Sequence, residues 1–261
     1  MTSAAAFFDL DRTLMAGSSG LHFGRAAYRA GWLRRRDIAR YGVEHIRFRL
    51  RGSTDEGTQA LLAEVTSHLT GVMERDLARM APEILAAVLP RIYPQMLDEV
   101  HAHQDSGRLT YIVSAAGGGM VQMLATVLGM EGGIGTHYAV GPNGTFTGEL
   151  DGPFMYGEGK AQAIREVATE NDIDLGESWA YSDSASDLPM LRAVGNPVVV
   201  NPDTELAAIA RKEGWRVMRF EKLGRRLAII GATAVAAIVG GSGTFLASRR
   251  RASSRRFRRR A

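Results

Sequence analysis

The sequence predicts an α/β fold. A mostly parallel sheet carries helices on both faces, a helical insert follows the first strand, and a hydrophobic helix lies near the C-terminus. Three observations carry this reading. Short apolar runs rich in Val, Ile, Phe and Tyr alternate with segments whose apolar residues recur at helical spacing, the pattern of a parallel sheet covered on both sides. The first run, AAAFFDL, is followed from residue 15 to about residue 85 by helical periodicity alone. Residues 227–247 contain no charge, and as a helix that stretch would span roughly 30 Å.

Each element follows in chain order. The first strand ends at an acidic pair, Asp9 and Asp11. In the insert, Ile38, Tyr41, His45 and Phe48 recur at helical spacing, as do Leu61, Val65 and Leu69, and then Leu77, Ile84 and Val88. LTYIVSA (109–115) is the next strand and runs into Gly117-Gly118-Gly119 and a helix with Met120, Leu124, Val127 and Leu128 on one face. A short strand near 134–140 and the turn Gly141-Pro142-Asn143-Gly144 lead into TFTGEL, a hairpin signal. A helix opens near Glu158, with Ala161, Ile164, Val167 and Ala168 on one face. ESWAYSD, a short helix from Asp187, PVVVN (197–201), a helix at 203–213 and WRVMRF (215–220) complete the alternation.

Composition narrows the function. The 261 residues suit one large domain, or one domain with a smaller insert. The absence of cysteine excludes disulfides, thiolate-bound zinc, iron–sulfur clusters and thiol nucleophiles. The net charge of +4 is unevenly spread. Residues 222–261 hold eleven basic residues and no acid, which leaves the rest of the chain at −7. An acidic body argues against a nucleic-acid groove on the globular part. The N-terminus lacks the basic region of a signal peptide.

The chemistry concentrates at strand ends, where open α/β sheets bind ligands. Period-two alternation aims Asp9 and Asp11 to the same side, although such a pair can also cap a helix or sit in a solvated turn. Ser114 closes a strand and opens a glycine loop leading to a helix N-terminus, a seat for phosphate or a plain capped turn. Lys160 opens a helix, where it opposes the macrodipole; an anionic partner would explain it, as would simple solvation. Asp183 ends the ESWAY strand without a capping role, whereas Asp187 can cap the helix that follows.

With FFDLDRT, IVSAA, GEGK and YSDSASD in that order, the chain resembles the haloacid dehalogenase superfamily of phosphatases, in its phosphoserine-phosphatase-like branch. Response-regulator receivers also use acids, a hydroxyl and a lysine, but their lysine comes last, and here Lys160 precedes Asp183. The resemblance covers residues 5 to about 220 and implies a Rossmann-like core of residues 1–14 and 86–220, with a helical cap of residues 15–85. It implies a Mg²⁺-dependent phosphomonoesterase. Asp9 would attack phosphorus and become an aspartyl phosphate, and Asp11 would act as general acid and then base. Ser114 and Lys160 would bind the phosphoryl group. Asp9, the backbone carbonyl of Asp11, and Asp183 would hold the metal, with Asp187 positioning metal-bound water.

Relatives acting on phosphoserine carry a glutamate shortly after the first motif and a Ser-Gly-Gly strand end. Here the corresponding stretches read MAGSSG (15–20) and Ser114-Ala115-Ala116. Arg47, Arg49 and Arg51 in the insert are either an anion contact or a solvated face. The histidines show no metal-ligand spacing; His101 and His103 do not share a helix face. The substrate expected is a phosphorylated small molecule or lipid. The tail of residues 221–261, with its apolar segment 227–247, is expected to associate with a membrane, leaving the catalytic body in the cytoplasm at the inner face. The alternative is a non-catalytic protein that binds phosphate or polyanions through the arginine-rich tail.

Overall fold

The structure is a computed structural model that describes residues 3–31, 62–63 and 65–220. A six-stranded, all-parallel sheet forms its centre. The strands are β1 (Ala5–Asp9), β2 (Leu109–Gly117), β3 (Gly132–Thr136), β6 (Trp179–Ser182), β7 (Asn196–Val200) and β8 (Arg216–Met218), in the spatial order β3-β2-β1-β6-β7-β8. The hairpin expected around residue 142 is β4 (Tyr138–Val140) against β5 (Phe146–Leu150), a separate antiparallel pair. The helices are α1 (Ser19–Arg29), α2 (Glu74–Arg79), α3 (Ala81–Val88), α4 (Pro94–Asp105), α5 (Gly118–Val127), α6 (Glu158–Glu170), α7 (Leu188–Arg192) and α8 (Thr204–Glu213).

β1 is central, and all five of its residues are buried, which is why it reads as a continuous apolar run rather than an alternating one. Alternation sends Phe7 to one face, stacked on Tyr111 at 5.5 Å, and Phe8 to the other, stacked on Tyr181 at 4.4 Å. The Phe7 face forms a core with Ile164 and Ala168 of α6, Met190 and Leu191 of α7, and Leu206 and Ala210 of α8. Burial of a large side chain of this kind contributes roughly 1.5–3 kcal/mol. The Phe8 face meets α4, whose Met96, Val100 and His103 are buried.

A polar network lies on that second face. His103 Nε2 is 2.8 Å from Tyr181 Oη, and Tyr181 donates to Glu99 Oε2 at 2.8 Å. Arg216 of β8 donates twice to Glu99, at 2.6 and 3.0 Å. The Arg108 guanidinium lies 4.2 Å from the centre of the Trp179 ring. Burial, followed by the positive charge of Arg108, lowers the His103 pKa to about 4, so the ring is neutral at physiological pH.

Local chemistry sets the ends of these elements. Asp203 caps α8, accepting from the Leu206 N–H at 2.7 Å, and Gly214 ends it in the left-handed conformation at φ 72°. In β3, an added Cβ on Gly133 would strike the α5 backbone at Val121 and Gln122, so glycine permits the strand to lie directly on that helix. WRVMRF supplies a shorter strand than its apolar pattern suggests, Arg216–Met218. The helical periodicity of residues 32–61, Arg47, Arg49 and Arg51, and the apolar segment 227–247 lie outside the described residues. Among the described residues, no helix is long and apolar enough to cross a membrane.

Candidate active site

The site sits at the carboxyl ends of β1, β2 and β6. After Asp9 the chain reverses tightly. The Leu14 N–H reaches the carbonyls of Asp9 (3.2 Å) and Leu10 (3.1 Å), and the Met15 N–H reaches that of Leu10 (3.0 Å). The turn requires Arg12 to adopt φ 64°, in the left-handed region that costs an L-residue roughly 1–2 kcal/mol. Arg12 then directs its guanidinium to Asp183 Oδ2 at 2.6 Å.

Lys160 is the third residue of α6 and is 3% exposed. Two glycines place it there. Gly157 precedes the helix at φ 55°, and an added Cβ on Gly159 would clash with the carbonyl oxygen of Phe154. Lys160 Nζ donates to Asp9 Oδ1 at 2.6 Å and to Asp187 Oδ2 at 2.8 Å. A lysine at a helix start is locally unfavourable, and two buried carboxylates supply the compensation. Burial alone would lower the Lys160 pKa, but Asp187 and Asp9 reverse that effect and raise it, so the ammonium stays charged. Burial pushes Asp9 up to about 6, with Lys160 opposing the rise and Asp187 adding to it. The Lys160 ammonium at 2.6 Å favours the ionised form of Asp9 against that burial.

Asp187 stands at the N-cap position of α7, but its side chain makes no capping hydrogen bond. It accepts from Lys160 and from Ser182 Oγ at 2.7 Å instead. The capping role that its sequence position allows is thus replaced by an ion pair. Asp183 follows β6 and is buried at 4% exposure. Because Phe8 pairs with Tyr181 across β1 and β6, Asp9 and Asp183 leave neighbouring strands at the same end. Ser114 is buried in β2, one residue beyond Val113, the register partner of Asp9. Its hydroxyl accepts from the Ala116 N–H at 3.2 Å, just before α5 begins at Gly118. The expected combination of strand, hydroxyl and helix N-terminus is therefore present beside Asp9.

Asp11 does not join the Lys160 cluster. Its Oδ2 accepts from Ser18 Oγ at 3.0 Å and its Oδ1 from the Ser19 N–H at 2.8 Å. The two acids of the D-x-D motif therefore have separate partners.

The donor set fits a hard cation. Asp9, Asp183 and Asp187 gather at adjoining strand ends, and Asp187 Oδ1 is buried without a hydrogen bond among the described residues. Oxygen ligands of this kind suit Mg²⁺. Among the described residues no three His, Asp or Glu side chains already stand as a metal cage; Asp9 and Asp187 meet Lys160, and Asp183 meets Arg12.

Sequence reasoning missed Arg12, Ser18, Ser19 and Ser182. The stretch 15–20 was informative for its lack of an acid, yet its serines open α1 and hold Asp11. Ser182 lies inside YSDSASD, directly before Asp183, and donates to Asp187 five residues on. None of the four carries a periodicity or spacing signal: the serines act on an acid within eight residues through the local turn, and Arg12 reaches Asp183 only through the fold.

Comparison with known proteins bears on this geometry. A family profile described as haloacid dehalogenase-like hydrolase matches residues 6–192. The chain is 34% identical over 263 residues to the "Inhibition of morphological differentiation protein" of Streptomyces azureus, covering 95% of each chain. It is 34% identical over 252 residues to "Phosphoserine phosphatase SerB1" of Mycobacterium tuberculosis, covering 95% of this chain and 81% of that relative. A solved structure of a protein of unknown function from Bordetella pertussis Tohama I superposes with a TM-score of 0.73 at 28% identity, covering 84% of this chain and 99% of that one.

Proposed function

The chain belongs to the haloacid dehalogenase-like hydrolase family and is a phosphatase of its phosphoserine-phosphatase-like branch, and on that premise we propose that it hydrolyses small-molecule phosphate monoesters through an aspartyl phosphate on Asp9. The observation that carries the proposal is the buried Lys160 ammonium shared by Asp9 and Asp187. It keeps a carboxylate ionised and aimed at the strand end where a phosphoryl group would sit. A family of hydrolases disfavours the binding-only alternative, which would need no second acid at position 11.

Asp9 attacks phosphorus in line, and the bond to the leaving oxygen breaks as Asp11 gives that oxygen a proton. Asp11 then takes a proton from the water that releases phosphate from Asp9. Ser114 and the N–H groups at the start of α5 hold the phosphoryl oxygens, and Lys160 offsets their charge. Residues 1–14 and 86–220 form the catalytic core in this reading, and residues 15–85 form the cap that selects the substrate. Mg²⁺, held by Asp9, Asp183 and the carbonyl of Asp11, would neutralise the phosphate dianion and Asp187 would orient its water. The stretch 15–20 has no acid to pair with the ammonium of phosphoserine, which favours a substrate without that group at this position.

The test is hydrolysis of p-nitrophenyl phosphate, with and without chelator, by the wild type and two variants. Asp9→Asn should abolish turnover with the fold intact. Asp11→Asn should reduce turnover roughly 10²–10⁴-fold. Wild-type rates in the Asp9→Asn protein would overturn the nucleophile, and full activity after exhaustive chelation would overturn the metal. A panel of phosphorylated metabolites and lipids would then identify the leaving group.

A further inference from the structure

We infer that Ser18 is a positioning residue for Asp11: its hydroxyl and the Ser19 N–H together fix the orientation of the carboxyl group that acts as general acid and base. The inference rests on the reading of Asp11 as general acid and base. Ser18 occupies the N-cap position of α1 with extended backbone, φ −123° and ψ 128°, yet its side chain makes no capping bond to its own helix. A serine there ordinarily accepts from an N–H in the first turn. Here the hydroxyl donates to Asp11 Oδ2 at 3.0 Å, and the first-turn Ser19 N–H goes to Asp11 Oδ1 at 2.8 Å. The Asp11 carboxylate has taken over the capping of α1, and Ser18 is left to hold its second oxygen.

The two donors hold different oxygens of one carboxyl group, which fixes its orientation against the start of α1. In the first half-reaction the carboxyl O–H bond of Asp11 breaks and the leaving oxygen takes the proton, together with the electron pair of its former bond to phosphorus. In the second, the oxygen of water bonds to phosphorus, one of its protons goes to the Asp11 carboxylate, and the electron pair of the acyl-phosphate P–O bond returns to Asp9.

Ser18 is well placed to hold this geometry. It is 8% exposed and Ser19 is 1% exposed. The loop between Asp11 and Ser18 is fastened to the returning leg of the chain, because the Ala16 N–H donates to the Arg91 carbonyl at 2.8 Å and Met15 pairs with Ile92. The grip also connects the acid to α1, the helix that opens the insert.

The experiment compares kcat/KM of the full chain on phenyl phosphate and p-nitrophenyl phosphate. These substrates differ in how much their leaving oxygen needs a proton. Loss of a positioned proton donor should show on the poorer leaving group. Ser18→Ala should lower kcat/KM about tenfold on phenyl phosphate and no more than about threefold on p-nitrophenyl phosphate, the scale of one hydrogen bond to a charged group. Ser18→Thr, which keeps the hydroxyl, should restore both values. Asp11→Asn should show the same bias toward the poorer leaving group with larger amplitude. Equal losses on both substrates for Ser18→Ala, beside a biased Asp11→Asn, would overturn the inference and leave the catalytic reading standing. An unbiased Asp11→Asn would overturn both. Thermal midpoints and circular dichroism separate a folding defect in Ser18→Ala from a catalytic one, and failure of Ser18→Thr to restore a folded protein's rate would also overturn the inference.

Discussion

Replacing Lys160 by methionine preserves most of the side-chain volume and removes one charge. That charge serves Asp9 at 2.6 Å and Asp187 at 2.8 Å, and both acids are buried, at 7% and 2% exposure. Removing one partner of a buried ion pair costs about 3–5 kcal/mol, because the remaining charge is left uncompensated. Here two carboxylates lose the same counter-ion, so the upper part of that range is expected at pH 8. The penalty must depend on pH. Burial already raises Asp9 from 3.8 to about 6, and Lys160 is the group that opposes this rise; without it the folded-state pKa climbs further. A carboxyl whose folded pKa lies above its unfolded value stabilises the fold fully below the unfolded value and loses that contribution as pH rises through the folded one. Relative to wild type, Lys160→Met should therefore be most destabilised at pH 8 and recover by up to about 1.4 kcal/mol per pH unit on acidification. Urea denaturation followed by far-UV circular dichroism at pH 8 and pH 5.5 measures this. Adding Asp187→Asn to Lys160→Met should return part of the loss at pH 8, because one of the stranded charges is gone. A single variant within about 1 kcal/mol of wild type at both pH values would refute the argument that this ammonium holds the two acids.

Three further outcomes are expected. His103 has a folded-state pKa of about 4 against 6.5, so its contribution is fully present above pH 6.5 and is lost as pH falls toward 4, by about 2–3 kcal/mol; His103→Gln should flatten the denaturant midpoint across that range, and an unchanged slope would remove His103 as its source. Gly159→Ala should destabilise the fold by roughly 1–3 kcal/mol and reduce turnover, because the new methyl meets the Phe154 carbonyl and displaces Lys160; a wild-type thermal midpoint and rate would show that the helix start tolerates the shift. For the tail, eleven basic residues against a body at −7 predict that the full chain sediments with anionic vesicles and a chain ending at Phe220 does not, with equal binding by both forms assigning any membrane contact to the body.

The class of fold and the order of strands along the chain were legible in the apolar pattern, and the candidate acids, serine and lysine in their places within it. Apolar runs such as AAAFFDL and PVVVN, bounded by turn signals, read as buried strands; the acids and the serine follow strands, and the lysine opens a helix. Those are properties of local spacing, which a single chain displays directly. The tertiary structure decided which group meets which. Lys160 and Asp9 are separated by 151 residues, and their contact depends on how α6 docks across the end of β1. Asp187 had a capping role available, and the docked lysine drew its carboxylate away. His103 stood in a helical H-x-H pattern with no evident task, and the neighbouring strand supplied Tyr181 as its partner. Asp9 and Asp11 stand two residues apart in D-L-D, and only the fold shows that the start of α1 holds one acid and Lys160 the other. The pattern of apolar residues fixes which side of an element is buried; it contains no term for the register between elements distant in sequence. That register, set by close packing and by the glycines that permit it, turns a set of charged residues into a site.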